Sequence, residues 1–65
     1  MDTFYIANNK TKQASIIQTE KTRDEIWFEL DDSVDVVYKC LNAQDAQGII
    51  DEKAMEYVPY DSFIK

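Results

Sequence analysis

Apolar and polar residues alternate along two stretches of this chain, residues 25–30 and 34–41, and two looser apolar runs precede them. The first run, residues 3–8 (Thr-Phe-Tyr-Ile-Ala-Asn), is dominated by aromatic and β-branched side chains and predicts a strand. Asn8-Asn9-Lys10-Thr11-Lys12 is turn material, because asparagine tolerates positive φ and bonds its own backbone. Residues 14–19 (Ala-Ser-Ile-Ile-Gln-Thr) predict a second strand, followed by a polar connection, Glu20-Lys21-Thr22-Arg23.

Between residues 25 and 30 the alternation puts Ile26, Phe28 and Leu30 on one face and Glu25, Trp27 and Glu29 on the other. Residues 34–41 repeat it, with Val34, Val36, Tyr38 and Cys40 opposing Asp35, Val37, Lys39 and Leu41. Joining the two through Asp31-Asp32-Ser33 sets Leu30 opposite Val34, Phe28 opposite Val36 and Ile26 opposite Tyr38. The other side then pairs Trp27 with Val37, Glu25 with Lys39 and Glu29 with Asp35. A slip of one residue would mix the faces, so the hydrophobic pattern selects this register. Thr22-x-x-Glu25 also matches a helix capping box, which makes a helix the competing expectation for the first of these segments.

Further on, Asn42 is a helix cap candidate, and Ala46, Ile50, Ala54 and Tyr57 fall at helical spacing. Gly48, the only glycine, weakens that helix by roughly 1 kcal/mol relative to alanine. The alternative is a hairpin of Gly48-Ile49-Ile50 and Met55–Val58 around Asp51-Glu52-Lys53. Pro59 ends either element, and Tyr60–Ile64 folds back as an edge strand or a single helical turn. The expected fold is α+β and β-rich: one small domain over residues 1–65, a four-stranded antiparallel meander with one short C-terminal helix packed on Ile26, Phe28 and Val36. A five-stranded, all-β barrel of SH3-like architecture is the alternative.

Composition narrows what such a domain does. At 65 residues the core is small, and domains of this size lean on a disulfide, a metal, a partner or self-association. Cys40 is the only cysteine and there is no histidine, so neither an internal disulfide nor the usual zinc ligand sets can form. Cys40 falls on the apolar face and reads as a small buried hydrophobe. The N-terminal residues lack the basic and apolar regions of a secretory signal, so the expected compartment is the cytoplasm and Asn9-Lys10-Thr11 is a chance glycosylation triplet. No membrane span is expected.

The net charge of −6 is unevenly spread: residues 10–23 sum to +3 and residues 24–35 to −6. Long-range repulsion from phosphates disfavours direct nucleic-acid binding, which would have to use residues 10–23. Without histidine, a phosphate loop or a nucleophile elbow, an enzyme is not expected. Asp31, Ser33 and Asp35 imitate the start of a calcium loop, but Val36 stands where glycine is required and Asn42 where the bidentate glutamate belongs. No cofactor or metal is therefore expected. Tyr57, Pro59, Tyr60 and Phe63 read as a C-terminal lid over the core.

The candidate partner-binding site is an apolar centre of Trp27 and Val37 rimmed by Glu25, Glu29, Asp31, Asp32 and Asp35. The expected function is a small acidic protein-binding module, an inhibitor or modulator docking this acidic and aromatic face on a basic surface of a larger protein. A sharper form is a nucleic-acid mimic whose carboxylates stand in for phosphates in a Lys- and Arg-lined channel. In composition the chain is similar to the small acidic inhibitors that phages carry against host or defence enzymes, with no family motif behind the likeness. The competing class is a structural homo-oligomer built through edge strands or the Trp27 patch.

Overall fold

A computed structural model describes all 65 residues. Strands β1 (Asp2–Asn8) and β2 (Gln13–Thr19) form an antiparallel hairpin, followed by helix α1 (Arg23–Glu29), strand β3 (Val36–Cys40), helix α2 (Ala43–Lys53), the short strand β4 (Glu56–Tyr57) and a 3-10 turn at Tyr60–Phe63. The four-stranded sheet has the order β3-β1-β2-β4, with β3 antiparallel to β1 and β4 parallel to β2. The α+β, β-rich expectation holds. The antiparallel meander does not: the sheet is mixed, β1 lies inside it, and a second helix, α1, joins the one expected in the last third.

The sheet is covered on both sides, which explains why β1 is buried from Thr3 to Asn8. Phe4 and Ile6 of β1, with Ile17 and Val37, meet Ile26 and Leu30 of the α1 segment and Phe63 of the 3-10 turn. The alternate residues Tyr5, Ala7, Ala14 and Cys40 meet Ala46 and Ile50 of α2, together with Met55. Two thin cores thus share one sheet, a layered arrangement in a chain that the alternation alone would make single-faced.

The largest correction falls on residues 25–30. Thr22 caps α1 by accepting from the Glu25 N–H at 3.2 Å, while the Thr22 N–H donates to the Glu25 carboxylate at 3.0 Å. That reciprocal box satisfies backbone donors that would otherwise be orphaned at the helix start. Ile26 and Leu30, one helical turn apart, face the sheet; Phe28 does not. The pairings Phe28–Val36, Ile26–Tyr38 and Trp27–Val37 accordingly do not exist, and β3 pairs with β1 instead, Tyr38 opposite Tyr5.

The helical alternative for the last third is the one realised. The Asn42 side chain accepts from the Asp45 N–H at 2.8 Å, Gly48 lies within α2, and the helix ends at Ala54 in the left-handed region with φ 54°. Pro59 precedes the 3-10 turn. The lid residues divide: Phe63 is buried and Tyr60 half-buried, while Tyr57 and Pro59 are exposed. No helix is long and apolar enough to cross a membrane.

Candidate functional site

Rolling residues 23–29 into a helix redistributes the side chains of the expected docking face. Val37 goes to the core, 7% exposed, beneath α1. Trp27 is 39% exposed on the helix flank. Phe28, expected inside, is 82% exposed. The apolar centre of the acidic surface is therefore Phe28 with Trp27 beside it in sequence, in place of Trp27 with Val37.

Around Phe28 the helix geometry gathers Asp24 and Glu25, four and three residues back, and these line a shallow depression with Lys21 and Glu29. The Lys21 Nζ is 2.8 Å from Glu29 Oε1, and the Tyr60 hydroxyl donates to the same carboxylate oxygen at 2.9 Å. Glu29 is thus a local tie between the connection before α1 and the 3-10 turn. Lys21 first, then the Tyr60 hydroxyl, holds its carboxyl below the ordinary range. Glu25 is likewise lowered, chiefly by the Thr22 backbone N–H, and Asp31 by the Ser33 backbone N–H. These three acids keep their charge under mildly acidic conditions.

The remaining rim is dispersed. Asp31 accepts from the Ser33 N–H at 2.9 Å in the loop after α1, where Asp32 is exposed. Asp35 accepts from the Asn9 N–H at 3.2 Å, at the β1–β2 turn, and does not face Glu29. Lys39 pairs with Asp2 at 3.6 Å rather than with Glu25. With Asp31 and Asp35 committed to different backbone groups, the calcium-like spacing does not converge on a point.

The floor of the site is fastened by the C-terminal segment. The Asp31 N–H donates to the Phe63 carbonyl at 2.6 Å and the Lys65 N–H to the Glu29 carbonyl at 3.2 Å, while Leu30 bridges Ile64. This brings the Lys65 Nζ to 5.6 Å from the Phe28 ring centroid, a cation–π distance.

Elsewhere the chemistry is muted. Cys40 is buried as the pattern indicates, and desolvation, then Asp45, pushes its thiol up, away from thiolate reactivity. The Tyr5 hydroxyl and Ser15 Oγ are buried without a hydrogen-bond partner. Tyr5 lies in a second depression, with Val36, Tyr38, Ile49, Glu52 and Lys53, between β3 and α2.

Sequence reasoning missed Phe28, Asp24 and Lys21 as site residues. The signal for them was present: the capping box fixes the helix phase, and that phase turns Phe28 outward. Compared with known protein families, curated proteins and solved structures, the chain matches none.

Proposed function

We propose that this chain is a small protein-binding module whose α1 face docks on a basic surface of a larger protein, in the manner of an inhibitor or modulator. The observation that carries this reading is Phe28, 82% exposed among the carboxylates of Asp24, Glu25 and Glu29 on a helix held at both ends. An exposed aromatic ring costs an isolated monomer free energy and supplies a rigid anchor to an interface. The surrounding carboxylates steer basic partners and repel acidic ones. In the sharper form, Asp24, Glu25, Asp31 and Asp32 take the place of nucleic-acid phosphates in a cationic channel.

The test compares immobilised wild type with Phe28→Ala and with the double reversal Asp24→Lys/Asp32→Lys, which leaves the capping box intact. A basic protein retained by wild type should be lost from both variants, and its retention should weaken as salt rises. For the mimic form, that protein's own binding to DNA or RNA should be displaced by the wild-type chain. Undiminished retention by both variants, or retention that strengthens with salt, would rule the α1 face out.

A further inference from the structure

The open edge of the sheet carries a second, independent surface. Glu56 N–H donates to the Lys12 carbonyl and Val58 N–H to the Ala14 carbonyl, so the even-numbered backbone groups at the start of β2 point towards β4. Alternation along extended strands then fixes the rest. Odd residues of β2 face β1, even residues of β1 face β2, and Thr3, Tyr5 and Ala7 face β3. Val36, Tyr38 and Cys40 spend their backbone groups on β1. The N–H and C=O of Val37 and Lys39 are left pointing outward at the end of the sheet, and neither N–H finds another partner in the fold.

We propose that β3 pairs antiparallel with β3 of a second copy, about a two-fold axis at Tyr38, giving one continuous sheet across a homodimer. Three observations select a second copy and this register. First, centring on Tyr38 sets Val37 opposite the partner's Lys39 and Lys39 opposite the partner's Val37, so every outward backbone group of both strands is used. Centring on Val37 or on Lys39 wastes groups, and the latter opposes two ammonium charges. Second, no like charges stand directly opposite in the chosen register: Val36 meets the partner's Cys40 and Asp35 meets the partner's Leu41. Lys39, the residue type that ordinarily discourages edge pairing, is already engaged by Asp2.

Third, Tyr38 is 54% exposed and forms one wall of the depression lined by Tyr5, Val36 and Ile49. The pairing places the partner's Tyr38 in the closely spaced, non-hydrogen-bonded position across from it, where each ring extends the apolar wall of the other copy. A two-fold axis normal to the sheet also keeps both α1 helices on the same side, so the dimer presents two acidic faces in one direction.

Sedimentation of the full chain across about 10 µM to 1 mM tests this, since dimer population follows protomer concentration. Wild type should approach twice the 7.6 kDa chain mass. Lys39→Ala should do the same. Tyr38→Glu, which opposes two carboxylates at the axis, and Lys39→Pro, which removes an outward donor that β1 does not use, should each remain monomeric with wild-type circular dichroism. A wild type that stays monomeric, or a dimer that survives either of these two variants, overturns the proposal. Should a variant fail to fold, oxidation decides: in a Cys40→Ala background, Tyr38→Cys should form a disulfide-linked dimer and Leu41→Cys should not. Cα atoms in a non-hydrogen-bonded pair lie about 4.5 Å apart, within disulfide reach. Failure of Tyr38→Cys to cross-link, or equal cross-linking of Leu41→Cys, also overturns it.

Discussion

Ile26 and Phe28 show how much one residue's phase decides. In a strand they would share a face; in α1 they lie on opposite sides, Ile26 fully buried between helix and sheet and Phe28 in water. Removing Ile26 leaves a cavity against Phe4, Ile6 and Phe63, in a core too thin to relax around it. Ile26→Ala should therefore cost about 2–5 kcal/mol in urea denaturation, a large share of what a domain of this size has. Phe28→Ala should change stability by less than about 0.5 kcal/mol, because it removes surface contacts only. Equal losses for the two variants would contradict the helical phase. The same pair explains the misplaced candidate site: positions 26 and 30 satisfy both a period of two and a helical turn, and only Phe28 distinguishes them. Its apolar character, which reads as burial, belongs here to an exposed anchor.

At the level of elements, the local signals that proved reliable were those with a specific hydrogen-bonding job. Thr22 with Glu25 and Asn42 with Asp45 each mark a helix start that the structure uses. Residues 3–8 and 14–19 were legible as strands because their branched and aromatic runs suit a buried sheet. What the chain did not disclose was pairing: β3 was identifiable as a strand, but its partner, β1, lies far back in sequence and no alternation names it. The parallel β2–β4 contact was equally hidden, resting on two residues and on Val58 and Glu56 amides that reach β2. Helix α2 offers a test of propensity without packing. A methyl group at Gly48 would meet nothing within 4 Å, and Gly48 is exposed, so Gly48→Ala should stabilise the fold by roughly 0.5–1 kcal/mol. Ala54→Gly, at φ 54°, should act in the same direction by relieving the left-handed strain at the helix end. Thermal melts of the two variants and their combination check this; a Tm lower than wild type for Gly48→Ala would mean that glycine serves a contact outside the monomer.

At the scale of the whole molecule, the α1 layer adds to the apolar contacts of Ile26 and Leu30 a set of polar ties that converge on Glu29: Lys21, the Tyr60 hydroxyl and the Lys65 N–H to its carbonyl. That arrangement makes stability depend on pH with a definite sign. The carboxyls of Glu29, Glu25 and Asp31 titrate lower in the fold than in the unfolded chain, through Lys21, Thr22 and Ser33 respectively. Their contribution is thus complete above the unfolded values of about 4.3 for Glu and 3.9 for Asp, and is lost as pH falls through the lower folded values. Tyr60 works in reverse. Desolvation, then Glu29, raises its phenol, so its contribution is complete below about pH 10 and fades above it. A competing effect runs against the acid limb, because protonation also relieves the self-repulsion of a −6 chain. Working near 0.15 M salt, where the screening length is about 8 Å, suppresses that long-range repulsion more than the short hydrogen-bonded contacts of Glu29. Under those conditions Tm should be flat from neutral pH to about 5 and fall towards pH 3, and Glu29→Gln should shrink that fall while lowering the neutral plateau. Tyr60→Phe should lower the plateau as well, but leave most of the acid limb in place through Lys21. A Tm that rises steadily from pH 5 to pH 3 in wild type would show that relief of net charge outweighs these ties, and that the α1 face is held by its apolar contacts alone.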